Sequence, residues 1–211
     1  MYKEGRLEAY VSDAAARKPA PGGGSVSALV GALAAAMSEM SANFTASSKK
    51  YASVERMARD MLAELGQCRN GLLDAMDQDV IAYSAVDRSL KMPRDTEVQR
   101  AARRQALHGA LLNAIEPPLQ IIRQSARIAG IAERLVDIGK SSLISDVGIS
   151  SILAEAACES ARLNVIVNLK YLKDVKLTRS ILSEVEGLCH MVESSRRKVM
   201  RKVNTALKSM K

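Results

Sequence analysis

The sequence is poor in aromatic residues and in residues that bind metals or form disulfides. It has no Trp, one Phe and two His among 211 residues, and aromatic residues make up 3% of the chain. The three cysteines, Cys68, Cys158 and Cys189, are far apart and form no CxxC pair, so we expect reduced thiols rather than a disulfide framework. With only His108 and His190 available, we expect no histidine-rich metal site.

Long apolar runs and a leader-like N-terminus are also missing from the sequence. The first ten residues, MYKEGRLEAY, lack the apolar segment of a signal peptide. The longest apolar run, around residues 28–37, is shorter than the roughly 20 residues that a membrane-spanning helix needs. We therefore expect a cytoplasmic protein without a membrane segment.

Basic residues are in excess, and the formal net charge is +8. The excess is concentrated in the last segment, SSRRKVMRKVNTALKSMK. Such a run is typical of a solvated helix face, and it also suits an anionic partner. Because no aromatic residues are interleaved with the basic ones, we do not expect binding to single-stranded nucleic acid.

What the chain does have is aliphatic residues at helical spacing. Hydrophobic residues make up 47% of the sequence and include ten Met. They recur three and four residues apart, which predicts an all-α fold: a single helical bundle of six or seven helices in one domain over residues 1–211. The expected helices cover residues 3–16, from a cap at 25 to about 45, 53–90, 96–115, 119–138, from a cap at 145 or 146 to about 172, and 175–207.

One carboxylate borders an apolar helix face. Asp79 follows Met76 by three residues and precedes Tyr83 by four, within the stripe of the third predicted helix. A carboxylate inside that stripe must be hydrogen-bonded, paired or protonated, because an isolated buried charge is costly. The alternative is that Asp79 lies just beyond the stripe in water, where most Asp residues are found.

Two amides occupy one face of the helix predicted after SDVG. Asn164 and Asn168 are four residues apart, and this spacing suits a heterocycle with fixed donors and acceptors. The same amides can equally cross-link neighbouring helices. Ser145 and Asp146, where this helix is expected to begin, are typical capping residues.

A glycine-rich turn precedes the helix rich in small residues. Gly22, Gly23 and Gly24 lead into Ser25, an expected N-cap, and bare backbone N–H groups at a helix start favour anions or polar rings. The turn is neither a Walker loop nor a GxGxxG fingerprint. Lys49 and Lys50, in the loop after this helix, are suited to carboxylates or phosphates but also to plain solvation.

Six segments spread over about residues 7–174 occur in the order known from one enzyme family. They are PAPGGGSVSALVGALAAAMSEMSANFT, KKY, DQDVIAY, KMPRDT, ISDVGISSILAEAA and ARLNVIVNLKYLKD. Together they resemble the cyclodeaminase/cyclohydrolase family of folate enzymes, which includes the cyclodeaminase domain of formiminotransferase-cyclodeaminase and stand-alone methenyltetrahydrofolate cyclohydrolases. The chain departs from the family pattern in its loops: residues 46–48 replace a usual Gly-Lys, Lys140 replaces an Asn, and a second proline follows Pro117.

The resemblance implies an all-helical homodimer that binds a tetrahydrofolate one-carbon derivative. It implies proton transfer at the carbon between N5 and N10, with no metal and no cofactor beyond the folate substrate. It also implies roles for particular residues. The expected catalytic residues are Asp79, Asp146 and Tyr83. The expected substrate-binding residues are Gly22, Gly23, Gly24, Ser25, Lys49, Lys50, Ser145, Asn164 and Asn168.

Three alternatives for the activity stay open on the sequence. We favour a methenyltetrahydrofolate cyclohydrolase, because 211 residues leave no room for a formiminotransferase domain. A formiminotetrahydrofolate cyclodeaminase that releases ammonia is the second alternative. The third is a bundle without catalytic activity, either a basic one that binds an anionic partner or a family member that has kept the fold and lost activity.

Overall fold

The computed structural model describes residues 1–172 and 174–209, and it confirms the all-α prediction. Six α-helices and three short 3₁₀ turns make up the regular structure of this part of the chain. The helices are α1 Leu7–Ala15, α2 Gly23–Ala46, α3 Glu55–Leu90, α4 Glu97–Ile138, α5 Ile144–Tyr171 and α6 Val175–Ser209. The 3₁₀ turns are Tyr2–Glu4, Lys49–Val54 and Ser141–Leu143.

The α2 helix packs against α3, α4 and α5, and its small residues let these helices approach closely. A Cβ added at Gly31 would lie 3.0 Å from Leu72 of α3 and 3.5 Å from Ala157 of α5. Farther along the helix, the hydroxyl groups of Ser38 and Ser150 are 2.7 Å apart. The pairing of the start of α2 with the end of α5 shows that these two helices run antiparallel.

The prolines Pro117 and Pro118 predict a break or a kink between the helices expected over 96–115 and 119–138. The break is wrong, because α4 continues through both residues. Proline has no backbone N–H, so Pro118 leaves the carbonyl of Ala114, four residues earlier, without its helical donor. The side-chain amide of Asn168 on α5 donates a hydrogen bond to this carbonyl at 2.7 Å. An interhelical hydrogen bond thus replaces the missing helical one and keeps the helix continuous.

The helix starts follow the sequence only in part. Thr96 and Gln99, whose types and spacing predict a capping box, form one at the start of α4. The cap predicted at Ser145 or Asp146 is wrong, because α5 already begins at Ile144 after a 3₁₀ turn and has no side-chain cap. Ser25, also expected as a cap, lies inside α2, which begins two residues earlier.

Two helices meet the length and composition expected of a membrane span, which the inspection of apolar runs did not anticipate. They are α2 and the segment Ser141–Tyr171, and 56% and 39% of their most apolar windows are buried inside the bundle. Core helices of water-soluble bundles meet the same criterion, so this finding is weak support for a membrane protein.

Candidate active site

A cavity of about 620 Å³ lies between the start of α2, the second half of α3, the middle of α4 and the end of α5. Polar groups, glycine backbone and aliphatic side chains all line it. The polar and glycine positions are Lys18, Gly22, Gly23, Gly24, Asp79, Tyr83, Asn164, Asn168 and Tyr171. The apolar positions include Val80, Val86, Leu90, Leu107, Leu111 and Val167.

Asp79 lies in the wall of this cavity and is partly buried. The backbone N–H of Ser25 donates a hydrogen bond to its Oδ2 at 2.9 Å. Burial raises the pKa of Asp79 above its usual range, and the Ser25 N–H opposes part of that rise. In the described part of the chain no donor reaches Oδ1, so this oxygen is available to a ligand. The structure therefore supports the first of the two interpretations of Asp79.

The position of the Asp79 carboxylate requires a glycine at residue 24, because a side chain there would overlap it. A Cβ at residue 24 would lie 2.0 Å from Oδ1 of Asp79, far inside contact distance. A Cβ at Gly23 would lie 3.4 Å from the Asn164 amide, whereas nothing lies within 4 Å of one at Gly22. The three glycines thus have different functions, and only Gly24 lets the carboxylate lie directly against the backbone.

Tyr10 extends the contacts of Asp79 and was missed in the sequence analysis. Its hydroxyl donates to Oγ of Ser25 at 3.1 Å, and burial raises the pKa of this phenol. The spacing of Leu7 and Val11 predicts that they share the apolar face of this helix, but both are exposed and Tyr10 is the buried residue of α1. The buried tyrosine was not found because α1 is too short for its periodicity to define one face.

The two asparagines line the cavity, and each donates to a backbone carbonyl. Asn164 donates to Ser160 of its own helix at 2.9 Å, and Asn168 donates to Ala114 of α4. The side-chain carbonyl oxygens of both residues remain available as acceptors. Tyr83, one turn after Asp79, is half exposed at the rim and makes no hydrogen bond to Asp79. A role for Tyr83 in orienting water stays a prediction.

Lys18 is the cation in the cavity lining, and it was missed in the sequence analysis. It forms an ion pair with Asp13, which also accepts a hydrogen bond from the hydroxyl of Tyr2 at 2.9 Å. This arrangement holds Lys18 at the rim but neutralises most of its charge. The cavity therefore offers little positive charge to an anionic ligand.

Four predicted site residues lie outside this cavity. Lys49, Lys50, Ser145 and Asp146 are near the opposite end of α2, beyond its 24 residues, which span about 36 Å at the rise of an α-helix. Within one chain the structure does not bring Asp146 and Asp79 together. The predicted roles of these four residues are not tested by the single chain.

The segments at this second end contact one another through hydrogen bonds. The backbone N–H of Lys140 donates to Oγ1 of Thr45 at 2.9 Å, and that of Ser141 donates to the hydroxyl of Tyr51 at 3.2 Å. The Lys140 ammonium lies 5.3 Å from the ring centre of Phe44. Lys49, Lys50 and Lys140 form what we call the lysine cluster, and they make no ion pair with residues 1–172 or 174–209.

Residues that bind metals do not gather elsewhere in the fold. Among the described residues, no group of three or more His, Cys, Asp or Glu side chains is arranged to hold a metal ion. The thiols of Cys158 and Cys189 are 3.4 Å apart and reduced.

The comparisons with known proteins agree with this fold. The chain is 35% identical over 182 residues to methenyltetrahydrofolate cyclohydrolase from Methylorubrum extorquens, covering 86% of this chain and 88% of that one. It is 30% identical over 168 residues to formimidoyltransferase-cyclodeaminase from Rattus norvegicus, covering 80% of this chain and 31% of the rat enzyme. The chain thus matches about a third of that longer relative.

A solved structure has the same fold. Formiminotetrahydrofolate cyclodeaminase from Thermotoga maritima superposes with a TM-score of 0.89 and 29% sequence identity, covering 98% of this chain and all of the other. The family model described as formiminotransferase-cyclodeaminase matches residues 6–187. The chain therefore belongs to the formiminotransferase-cyclodeaminase family, as its sequence segments indicated.

Proposed function

We propose that this protein is a folate one-carbon enzyme that hydrolyses 5,10-methenyltetrahydrofolate to 10-formyltetrahydrofolate. The cyclohydrolase from Methylorubrum extorquens, similar over most of both chains, supports this reaction. The observation that carries the proposal is the position of Asp79. It is a partly buried carboxylate with a raised pKa in the wall of a cavity, and one of its oxygens accepts a hydrogen bond from the Ser25 N–H.

Hydrolysis of the methenyl bridge needs a base and then an acid at the same place. Water attacks the cationic bridge carbon while Asp79 takes one of its protons, which forms a tetrahedral carbon between two nitrogens. Asp79 then returns this proton to N5 as the bond between N5 and the bridge carbon breaks. The hydroxyl proton of the tetrahedral carbon leaves to solvent, and the formyl group stays on N10. Burial favours the first step, because a carboxylate with a raised pKa is a stronger base.

The rest of the cavity suits the remainder of the substrate. The side-chain oxygens of Asn164 and Asn168 accept hydrogen bonds from N–H groups of a pterin. The glycine turn exposes backbone to the ring, and the aliphatic wall of Leu107, Leu111 and neighbouring residues packs against aromatic carbons. A pocket with one apolar side and a few converging polar groups is typical of small-molecule sites.

A second candidate activity is cyclodeamination, which the Thermotoga maritima neighbour favours. In that reaction the formimino group closes onto N10, and ammonia leaves from the tetrahedral carbon after accepting a proton. Asp79 is placed equally well to supply that proton. The two activities therefore share the site and differ in the group that leaves.

Absorbance of the methenyl bridge separates the two activities. Purified protein is incubated with 5,10-methenyltetrahydrofolate in one assay and with 5-formiminotetrahydrofolate in the other. We expect loss of methenyl absorbance in the first, faster than in buffer alone, and no gain in the second. A gain with release of ammonia in the second assay would identify a cyclodeaminase. No turnover in either would overturn the assignment as a folate enzyme.

The remaining parts of the proposal concern assembly and surroundings. We propose a homodimer in the cytoplasm that needs no cofactor other than its folate substrate. Gel filtration with light scattering measures the mass of the assembly, and turnover in the presence of a metal chelator tests the need for a metal ion. A particle of one chain, or activity lost to the chelator, would contradict this.

A further inference from the structure

Two of the three cysteines meet between α5 and α6, outside the lining of the candidate active site. Cys158 lies near the middle of α5 and Cys189 near the middle of α6, and their sulfur atoms are 3.4 Å apart. A disulfide bond is about 2.05 Å long, so the two sulfurs need to approach by only about 1.4 Å to form one. The thiols are thus reduced but already in contact.

The two thiols differ in their exposure to solvent. Cys158 is 1% exposed, whereas Cys189 is only partly buried and lines a cavity of about 430 Å³ between α5 and α6. The third cysteine, Cys68, is as buried as Cys158 and contacts no other thiol in the described part of the chain. Of the three thiols, Cys189 is therefore the one that a reagent in solution reaches most easily.

The surroundings favour an ionised Cys189 beside a protonated Cys158. The hydrogen bond between the two thiols and burial in the core raise the pKa of Cys158, so this thiol donates. The same hydrogen bond lowers the pKa of Cys189, and the Arg162 guanidinium lowers it further. Burial and the Glu159 carboxylate, which pairs with Arg162, oppose this. Because the thiolate is the nucleophile, Cys189 is the sulfur that reacts first.

The pair has the arrangement of a redox-sensitive site rather than of a metal site. Among the described residues, no third His, Cys, Asp or Glu side chain joins the two cysteines in a group that could hold a metal ion. An accessible cysteine of lowered pKa with a second cysteine in contact is typical of thiols that are oxidised reversibly. In a reducing compartment such a disulfide forms transiently, in response to an oxidant.

The lining of the 430 Å³ cavity indicates the class of oxidant. Its charged side chains are the carboxylates of Glu155, Glu159, Glu186 and Glu193 and the guanidinium of Arg162. Arg196 and Arg197 pair with two of these carboxylates from outside the lining, which leaves a small excess of negative charge. An anionic oxidant such as glutathione disulfide is not attracted to this cavity. A small uncharged hydroperoxide meets no such barrier.

We propose that Cys189 and Cys158 are a peroxide-sensitive pair that forms a reversible disulfide between α5 and α6. In the first step the Cys189 thiolate attacks one oxygen of hydrogen peroxide, so that an S–O bond forms and the O–O bond breaks. The departing hydroxide takes up the proton that Cys189 released on ionising and becomes water. Cys189 is then a sulfenic acid, oxidised by two electrons, and the peroxide has been reduced.

The second step is resolution of the sulfenic acid by Cys158. The Cys158 sulfur attacks the Cys189 sulfur, the S–S bond forms and the S–O bond breaks. The hydroxide leaves with the Cys158 proton as a second water. Two thiols and one peroxide thus give one disulfide and two waters. The contact between the sulfurs favours this step over further oxidation of Cys189, because the resolving thiol is already in place.

Thiol counting and peptide mass spectrometry test the pair in the wild-type protein. The reduced protein is treated with one equivalent of hydrogen peroxide and then alkylated under denaturing conditions. We expect the three free thiols to fall to one, with a Cys158–Cys189 disulfide within one chain, and dithiothreitol to restore all three. The same concentration of glutathione disulfide should react at least about tenfold more slowly.

Three outcomes of this experiment overturn the proposal. The first is oxidation of Cys68 as fast as that of Cys189. The second is a Cys189 that proceeds to sulfinic acid while Cys158 remains a thiol. The third is a reaction with glutathione disulfide that is as fast as the reaction with peroxide.

Two single variants separate the roles of the cysteines. In Cys158→Ala the reaction should stop at the Cys189 sulfenic acid, which dimedone traps as a covalent adduct. Cys68→Ala is the matched control, since it also removes a buried thiol, and it should form the disulfide as the wild type does. Peroxide-treated Cys158→Ala without a dimedone adduct on Cys189 overturns the proposal, as does Cys68→Ala without the disulfide.

Thermal unfolding measures the effect of the bond on the fold. The two cysteines are 31 residues apart in sequence, so the disulfide restricts the unfolded chain and should raise Tm by about 5–15 °C. Cys158→Ala treated with the same peroxide should show no such rise. A wild type whose Tm does not rise on oxidation contradicts a disulfide that ties α6 to α5. None of these measurements needs a folate, so their result is independent of the proposed function.

Discussion

At the scale of the residue, Asp79 carries most of the chemistry, and its pKa has consequences for stability. Because burial raises its pKa, the folded protein holds the Asp79 proton more tightly than the unfolded chain does. The contribution of Asp79 to stability is therefore full below the pKa of an unfolded Asp, near 3.9, and is lost as pH rises through the raised folded value. Keeping this carboxylate partly buried in the site therefore lowers the stability of the folded protein at neutral pH.

This cost predicts that Asp79→Asn is more stable than the wild type at pH 7. The amide keeps an oxygen for the Ser25 N–H and removes the buried charge. The difference in Tm should shrink as pH falls toward the pKa of an unfolded Asp, where both forms are neutral. Thermal unfolding of the two proteins between pH 4 and pH 8 measures it. A wild type that is the more stable of the two at pH 7 would contradict this explanation.

Gly24 and Gly22 provide a matched pair of substitutions. In Gly24→Ala, the new methyl group would overlap Oδ1 of Asp79, so the carboxylate must move and the Ser25 hydrogen bond must distort. We expect kcat to fall at least about tenfold, since a shift of about 1 Å in a catalytic group is costly. In Gly22→Ala the new methyl group meets no protein atom within 4 Å and leaves Asp79 in place, so any loss should be in KM and kcat should fall much less than in Gly24→Ala. Equal effects of the two substitutions would refute the close approach of Asp79 to residue 24.

The sequence limited Asp79 to two environments but did not choose between them. Its hydrogen-bond donor, Ser25, is 54 residues away, and Tyr10 acts from another helix. Periodicity places a residue on a face of its own helix, whereas burial depends on which other helix covers that face. For the same reason Lys18, whose neighbours along the chain give no signal, was found only in the structure.

At the scale of the element, α4 shows how one helix depends on another. Asn168 of α5 satisfies the Ala114 carbonyl that Pro118 leaves without a donor. The predicted break was wrong because the compensating amide is 54 residues away in sequence. By contrast, the start of α4 was predicted correctly, since its capping box is local.

This dependence predicts a specific loss in Asn168→Ala. The Ala114 carbonyl would have no protein donor, and we expect the free energy of unfolding to drop by about 1–3 kcal/mol. Asn164→Ala is the control, because that amide donates only within its own helix and should cost less. Urea denaturation followed by circular dichroism measures both variants.

A double-mutant cycle of Pro118→Ala and Asn168→Ala measures how far the two residues depend on each other for stability. Alanine restores the backbone N–H that the Ala114 carbonyl lacks, so Asn168→Ala should cost less stability in this background than in the wild type. Additive effects of the two substitutions would show that the interhelical hydrogen bond does not compensate for the proline.

At the scale of the whole molecule, part of the positive charge forms ion pairs between helices. On α6, Lys198 pairs with Glu133 at 2.8 Å and Lys202 with Asp137 at 2.5 Å, both on α4. Arg196 pairs with Glu155 of α5 at 2.9 Å. The basic C-terminal segment is therefore in part a set of contacts between helices, which weakens the alternative of a scaffold for an anionic partner.

The apolar face of the bundle gives a prediction at this scale. The outer face of α2 carries an apolar stripe whose members are not fully buried: Val26, Val30, Leu33, Met37, Met40 and Phe44. Leu33→Asp places a charge at the centre of this stripe and should convert the proposed dimer to monomer, because a charge buried in an interface without a partner is costly. Val98→Asp is the control, since Val98 is 79% exposed on α4 and outside the stripe. Light scattering at equal concentrations measures the mass. If Leu33→Asp remains dimeric as Val98→Asp does, this face is not the dimer interface.

The fold class and the family followed from local patterns, whereas the arrangement of the site did not. Stripes and segment order are properties of the chain, so they indicated a helical bundle of this family. Which predicted residues share a cavity depends on the lengths and directions of helices. The length of α2 separates Lys49 and Asp146 from Asp79, although the sequence analysis grouped them.

The most direct test of the central claim is the hydrolysis rate of Asp79→Asn with 5,10-methenyltetrahydrofolate, corrected for the rate in buffer. If Asp79 moves protons at the bridge, kcat should fall by about 10²–10⁴-fold. KM should change little, because the asparagines and the aliphatic wall still hold the substrate. A correctly folded variant with the wild-type kcat would contradict the account.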